Sequence, residues 1–316
     1  MSIVSKHRPV VDVAVAVIQR ADGRVLLAER PHGKVSAGYW EFPGGKFNAG
    51  ENPEQALARE LQEELDIKLD RAHPWLTYEH EYPDKRVRLH FFRVTAWHGT
   101  PRGREGQRIS WEDPEIPEVA PLLPANALML RALRLPRLYA ITNAQKYGVV
   151  GFLERLERAL ERGVRLILVR ERKFAPGQLT QFARRVIAMA HRYDAKVLVY
   201  GDETLARQVV SDGVHLTASQ LPGLIERPRD LLCAASCHNA TELAWASALS
   251  VDFVVLSPVL PTKSHPGEPG IGWDKFAELV RGYPLPVYAL GGMRLELLDT
   301  AMRHGAHGIA MQSEIW

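Results

Sequence analysis

The chain has 316 residues and a net charge of +3, with 46% hydrophobic and 24% charged residues. At the usual ~100–200 residues per domain this length implies two domains, and the charge is too small for a protein that coats nucleic acid. No apolar run reaches the ~18 residues of a membrane-spanning helix, and the opening MSIVSKHRPV lacks the apolar core of a secretion signal. A cytoplasmic protein with no membrane partner and no direct nucleic-acid partner is expected. Cys233 and Cys237 are expected to be reduced, buried thiols, because no second ligand pair lies near them in the sequence.

In chain order, VDVAVAVIQR (11–20), the turn ADG (21–23) and VLLAER (25–30) read as a β-hairpin. A helix is expected at about 53–65 and a strand at VRLHFFRVTAW (87–97). Strands interrupted by one helix, without regular alternation, predict an α+β domain with a mixed sheet. The segment DPEIPEVAPLLP (113–124) is too rich in proline for a helix interior or a central strand. It leads into an amphipathic helix, ALMLRALRLP (127–136), and the domain boundary is placed at its end, giving domains 1–136 and 137–316.

Beyond the boundary the pattern alternates. Apolar runs at 138–142, 165–169, 196–200, 213–216, 231–236, 252–257, 286–290 and 308–311 are separated by seven helical patterns. Eight short buried strands with helices between them predict an α/β (β/α)8 TIM-type barrel, with an open doubly wound sheet as the alternative. The eighth helix is expected to be missing or reduced to a stub.

The chemistry concentrates in GGKFNAGENPEQALARELQEELDI, residues 44–67. A glycine pair makes a tight loop, Pro53 sits where a first helical turn tolerates proline, and Glu60, Glu63 and Glu64 fall on one helix face. Three carboxylates so placed repel one another unless a cation joins them. A hard divalent ion such as Mg²⁺ prefers oxygen ligands, and a diphosphate would supply the rest. Arg59 is placed to pair with Glu51 and hold the loop on the helix. A bare ExxEE is usually a solvated face, but the full pattern is more restrictive: Gly45, five residues, Glu51, seven residues, then RELQEELDI.

That pattern matches the Nudix box. With WEFPGGK (40–46), YEHEYPDKRVRLHFF (78–92), REGQ (104–107) and LLPAN (122–126), it resembles the MutT branch of the Nudix family over about residues 8–135. The resemblance implies a Nudix fold and hydrolysis of 8-oxo-dGTP to the monophosphate and diphosphate, with water attacking the β-phosphorus. It implies a Mg²⁺ set (Mn²⁺ may substitute) of the Gly44 carbonyl, Glu60, Glu63, Glu64 and Glu105, with either Glu60 or Glu105 handling the proton of water. The box itself is held by Gly45, Glu51 and Arg59. Asn126 matches the asparagine that reads the oxidised guanine, since an amide offers both a donor and an acceptor; it also reads as a helix N-cap. Arg30 matches a phosphate-contacting arginine or is a strand-end charge, and Phe42 lines the base pocket or belongs to the core. One position departs from the family: its glycine after the helix is Asp66 here, expected in a left-handed conformation at a cost of order 1 kcal/mol.

The second half resembles the thiamine phosphate synthase/TenI family, through LYAIT, VRERK (169–173), GVHL, SCHNATELAWA (236–246), SPVLPTKS (257–264), LGGM (290–293) and HGIAMQS (307–313). Gly291, Gly292 and Ser313 fall where such barrels bind phosphate through backbone N–H groups. Arg170, Asp202, Thr262 and Ser264 match further ligand positions, and His215 and His238 are candidates that equally fit satisfied core residues. Several family positions are altered: Leu168 replaces a glutamine, Arg172 a lysine, Gly201 an asparagine, Gln220 a metal-binding aspartate and His265 a lysine. A degenerate or ligand-binding barrel that takes a thiamine-related phosphate is expected over a working synthase. The competing readings are a bifunctional or thiamine-linked enzyme, whose Nudix site cleaves thiamine-type diphosphates, and a barrel that regulates the Nudix site. In the leading reading the substrate is a nucleoside triphosphate and the role is nucleotide-pool sanitation.

Overall fold

The structure is a computed structural model that describes residues 9–81, 85–262 and 269–316. By internal contacts the chain divides into two compact units: residues up to Arg134 with Arg281–Pro284, and Leu135–Val280 with Leu285–Trp316. Among the described residues no helix is long and apolar enough to cross a membrane.

The first unit runs β1 (Val10–Ile18), β2 (Val25–Glu29), β3 (Trp40–Glu41), β4 (Gly44–Lys46), α1 (Pro53–Leu65), β5 (Lys68–Glu81), β6 (Arg86–His98), β7 (Ile109–Glu112) and α2 (Pro124–Leu133). One sheet has the order β4-β1-β6-β5, with β1 parallel to β6 and antiparallel to β4; a second has the order β3-β2-β7. This is the expected mixed-sheet Nudix architecture.

The expected β1–β2 hairpin is not formed. Ala14, Ala16 and Ile18 pack with α1, while Val15 and Val17 join a second cluster with Trp40, Phe42, Phe91 and Met129. A strand buried on both faces belongs inside a sheet, so β1 takes β4 and β6 as partners. β2 goes to the other sheet, and the Gln19–Val25 bridge is what survives of the hairpin. β5 is not among the strands read from the sequence. Pro74 lies within it, and the register with β6 shifts between Pro74 and Leu76. Proline is tolerated there because β5 is an edge strand.

α1 positions the site. Asn52 accepts from the Gln55 N–H and Gln55 reaches back to the Asn52 N–H, so a capping box opens the helix, with Pro53 in its first turn. Ala56, Leu57, Leu61 and Leu65 are fully buried on one face, which leaves the glutamates on another. Truncating Leu61 to Ala would cost about 2–5 kcal/mol and release the helix that carries the site. Asp66 ends α1 at φ 58°, ψ 35°, the left-handed conformation expected of it.

The second unit is a closed barrel of eight parallel strands: β8 (Leu138–Ile141), β9 (Leu166–Val169), β10 (Lys196–Tyr200), β11 (Gly213–Leu216), β12 (Leu232–Cys237), β13 (Phe253–Leu256), β14 (Val287–Leu290) and β15 (Gly308–Met311). Between them lie α3 (Ala144–Tyr147), α4 (Val149–Glu161), α5 (Pro176–His191), α6 (Glu203–Gln208), α7 (Ala240–Ala248), α8 (Gly272–Val280) and α9 (Leu298–Arg303). β9, β11, β13 and β15 are buried at every residue, as parallel strands covered on both faces must be. Tyr139, Ile141, Leu166, Leu168, Leu198, Phe253 and Tyr288 fill the interior. One detail differs from the seven helices read between the strands: the β11–β12 connection carries a 3-10 turn with Pro222 inside it instead of an α-helix. After β15, residues 312–316 form no helix, as expected.

Candidate active site

In the first unit the β4 loop lies against α1. A Cβ at Gly45 would stand 2.1–2.2 Å from the carboxyl atoms of Glu60, and one at Gly44 would meet the Ala14 carbonyl oxygen at 2.0 Å. Gly45 is therefore what lets the Glu60 carboxylate rest on the loop backbone, and Gly44 what lets that loop close on β1. Glu64 accepts from the Gly44 N–H at 3.1 Å. Burial pushes the Glu64 carboxyl up to about 7; the Gly44 N–H opposes this, and the nearby Glu60 and Glu105 carboxylates add to it.

Arg59 does more than the sequence suggested. It grips Glu51 through two nitrogens (2.7 and 2.9 Å), as expected, and also reaches Glu60 at 2.7 Å, Glu63 at 3.1 Å and the Lys46 carbonyl at 2.9 Å. The guanidinium, helped by the Asn48 N–H, holds the Glu51 carboxyl down to about 2. Glu105 sits on a loop bound to the end of α1: the backbone N–H groups of Arg102 and Arg104 donate to the Leu65 and Glu64 carbonyls, and the Gln107 amide bridges the Glu64 carbonyl and the Glu105 N–H. Its carboxylate pairs with Lys34 at 2.6 Å.

Among the described residues no three His, Cys, Asp or Glu side chains already converge closely enough to hold a metal ion. The expected metal set is instead distributed: Glu60 and Glu63 on Arg59, Glu64 on the Gly44 N–H, Glu105 on Lys34. The donor set nonetheless fits a hard divalent cation. Five carboxylates (Glu51, Glu60, Glu63, Glu64, Glu105) share Arg59 and Lys34, which leaves a surplus of negative charge on all-oxygen donors.

Asn126 and Phe42 are buried together. The Asn126 Oδ1 faces the Phe42 N–H at 3.5 Å and its Nδ2 faces the Trp40 carbonyl at 3.4 Å; both are long contacts. The N-cap alternative for Asn126 is corrected: α2 starts at Pro124 with Leu123 as its cap, because proline fits a first turn, and Asn126 lies inside that turn. Phe42 packs edge-on to Phe91 in the core. Arg30 pairs with Glu41 at 2.5 Å and donates to the Val35 carbonyl at 2.8 Å, so in this arrangement its guanidinium braces the 30–41 loop. Burial outweighs Arg30 at Glu41 and raises that carboxyl above its usual range.

In the barrel, the C-terminal strand ends gather Arg170, Arg172 and Tyr200. Arg170 lies 5.0 Å and Arg172 5.9 Å from the Tyr200 ring centre, and burial together with Arg172 lowers the Arg170 pKa. Asp202 caps α6 by accepting from the Leu205 N–H at 2.8 Å. The Gln220 amide donates to the Gly201 carbonyl at 2.9 Å and accepts from the Thr217 N–H at 2.8 Å. A carboxylate at 220 has no proton to donate to that carbonyl, so the position serves as a strut between two loops. Gln220 thus supplies no carboxylate where the family resemblance places a metal-binding aspartate, and Asp202 engages one carboxylate oxygen in the helix cap.

Gly291 and Gly292 have φ of 105° and 66°, and a Cβ at either would strike Pro258 or Leu260 atoms within 2.9 Å, so they allow the β14 and β13 loops to pack. Ser313 is exposed and Thr262 half-buried; Ser264 and His265 lie outside the described residues. His215 is buried between the Tyr139 hydroxyl (3.0 Å) and the Ser236 hydroxyl (2.9 Å), the satisfied arrangement, whereas His238 is exposed. Cys233 and Cys237 are free and buried, their thiols pushed up to about 12 by burial, which makes them poor nucleophiles.

Sequence reasoning missed Lys34, Glu41, Glu171 and the strut role of Gln220. Glu171 accepts from the Ala144 and Gln145 N–H groups and so secures the start of α3. An acidic residue beside the recognised Arg170 was the available signal.

Fold and site together define a Nudix domain followed by a thiamine-phosphate-synthase-type barrel. A family model described as NUDIX domain matches residues 8–142, and one described as Thiamine monophosphate synthase matches residues 138–315; the chain belongs to both families as a fusion of the two. Over 180 residues it is 37% identical to a putative thiamine-phosphate synthase 2 of Aquifex aeolicus (56% of this chain, 96% of the relative). Over 126 residues it is 39% identical to an 8-oxo-dGTP diphosphatase of Haemophilus influenzae (40% and 93%). Over 122 residues it is 39% identical to a CTP pyrophosphohydrolase of Escherichia coli (39% and 90%).

Proposed function

We propose that the Nudix domain is a Mg²⁺-dependent nucleoside triphosphate pyrophosphohydrolase that prefers 8-oxo-dGTP, releasing 8-oxo-dGMP and diphosphate, with Mn²⁺ able to substitute. The observation that carries the reaction type is the surplus of carboxylates on α1, seated on the Gly44–Gly45 loop. When bound, Mg²⁺ offsets the phosphate charge and makes an attacking water more acidic. The chain's own part is to hold Glu60, Glu63 and Glu64 along one face, to fix the loop through Arg59 and Glu51, and to accept the water's proton at Glu60 or Glu105. Oxygen from water bonds to the β-phosphorus as the bond to the α-phosphate oxygen breaks.

For the base, the two Nudix relatives named above are equally identical to this chain and act on different nucleotides, so likeness does not choose between them. Asn126 favours oxidised guanine. Its amide lies beside Phe42 with long, exchangeable contacts, and presents the acceptor and donor that N7–H and O6 require. The test is steady-state hydrolysis of 8-oxo-dGTP, dGTP and CTP by one preparation. A kcat/KM for 8-oxo-dGTP no larger than that for dGTP or CTP defeats the assignment.

The barrel we read as a phosphate-binding module descended from a synthase, taking a thiamine-related phosphate at Arg170, Thr262, Ser264, Gly291, Gly292 and Ser313. Gln220, an amide strut where the family carries a metal-binding aspartate, favours this over a Mg-diphosphate-using synthase. Thiamine phosphate formed from the pyrimidine diphosphate and the thiazole phosphate would overturn it.

A further inference from the structure

Lys34 makes a half-exposed ion pair with one carboxylate of the Nudix site. Its ammonium is 2.6 Å from the Glu105 carboxylate and close enough to Glu64 for that charge to act on it as well. Arg30, on the same loop, is committed to Glu41 and the Val35 carbonyl. The loop from Arg30 to Tyr39 is closed at its neck, Arg30 N–H to Tyr39 carbonyl at 2.8 Å and Gly38 N–H to Arg30 carbonyl at 3.0 Å. Val35, next to Lys34, is 84% exposed, so the tip that carries Lys34 is not anchored in the core. The Lys34 and Glu105 side chains are themselves half-exposed (48% and 43%). A half-exposed ion pair is weak, and an ammonium on a four-carbon stem can re-aim without rebuilding the loop.

We propose that Lys34 is the exchangeable counter-cation of the Nudix site: it neutralises Glu105 until a divalent cation takes that carboxylate, then turns to the phosphates of the nucleotide. The inference rests on the pyrophosphohydrolase reading and adds a residue to it. A cation approaching Glu105 must displace the ammonium. The displaced ammonium remains within a side chain's reach of the same cluster, where a triphosphate is the strongest anion on offer. Lys34 thus opposes metal binding in the free protein and supports it once the nucleotide arrives, so that metal and substrate favour one another.

The experiment uses the full chain and the Lys34→Met and Lys34→Arg variants. Mn²⁺ binding is titrated without nucleotide, and binding of the non-hydrolysable α,β-methylene analogue of dGTP is titrated at saturating Mn²⁺. Lys34→Met is expected to bind Mn²⁺ about two- to fivefold more tightly, the range of a weak exposed pair. It is expected to bind the analogue about tenfold more weakly, having lost a charged contact to phosphate. Lys34→Arg restores both values toward wild type. Mn²⁺ affinity that is unchanged or weaker in Lys34→Met overturns the proposal, and so does an unchanged affinity for the analogue. Wild-type protein that cleaves no nucleoside triphosphate defeats the functional reading separately, because neither titration depends on turnover.

Discussion

At residue 45 the absence of a side chain is what allows the Glu60 carboxylate to lie on the β4 loop, where an added Cβ would approach it to 2.1 Å. The obstructing atoms are the end of a flexible side chain, so Gly45→Ala should leave the fold intact and push the carboxylate aside. A displacement of about 1 Å at a reacting centre costs up to about 10²-fold in rate. The expected outcome is a kcat lowered by about that factor with an unchanged melting temperature; unaltered kcat would show that Glu60 needs no such seat. Glu63→Gln tests the metal assignment differently. Glu63 is mostly exposed and touches Arg59 at 3.1 Å, so its loss should barely affect folding but abolish Mg²⁺-dependent turnover. Retained turnover would remove it from the metal set. These carboxylates were legible in the sequence because the chemistry confines them to two turns of one helix. Lys34 was not legible: its partner Glu105 is 71 residues away, and no local pattern announces the meeting. The same holds for Gln107, which reaches the end of α1 across 43 residues.

Among the elements, α1 shows how far local rules extend. Pro53 in its first turn and its left-handed end at Asp66 follow from residue types at fixed offsets, and the structure has both; the Asn52–Gln55 capping box obeys the same kind of rule but was not read from the sequence. Asp66 balances two effects. The left-handed backbone costs an aspartate about 1 kcal/mol, while contacts with Arg102 (3.2 Å) and Gln62 (3.2 Å) return a few tenths. Asp66→Gly should therefore change stability by less than about 1 kcal/mol, whereas the β-branched Asp66→Val should cost more than about 1 kcal/mol. Urea midpoints of the two variants give the comparison, and a glycine variant as unstable as the valine one would shift the explanation from backbone to ion pairs. What local rules could not supply was strand partnership. β1 and β2 carry every mark of a hairpin, yet β1 has apolar residues on both faces and is drawn into the sheet interior by α1 and Phe91. β5 tolerates Pro74 because, among the described residues, no strand pairs with its outer edge, a fact of topology that the residues of β5 do not contain.

Across the whole molecule, the two-part architecture was readable from periodicity, since a mixed pattern gives way to regular strand–helix alternation near residue 136. Less readable was which of the barrel's polar residues are structural. His215 lay between ligand and core readings; the structure ties it across three strands, from Tyr139 on β8 to Ser236 on β12. That placement gives the barrel an acid-sensitive point. Burial, with the positive Arg170 nearby, holds His215 down at about 3, against an ordinary 6.5. The Tyr139 and Tyr200 rings pack on it, and burial raises the Tyr139 hydroxyl well above its ordinary range. The folded state thus keeps the imidazole neutral, while the unfolded chain takes up a proton as pH falls through about 6.5. Protons bound preferentially by the unfolded state lower stability as pH decreases, so the full contribution is present above about pH 7 and is lost progressively toward pH 3. At pH 5 the loss amounts to about 2 kcal/mol, from 1.36 kcal/mol per unit below 6.5. Other groups titrate over the same range, so the measurement is a difference. Urea unfolding at pH 7.5 and pH 5 should show His215→Asn, which can still bridge the two hydroxyls, losing about 2 kcal/mol less than wild type on acidification. Equal losses in the two proteins would mean that His215 takes up its proton in the native barrel as readily as in the unfolded chain.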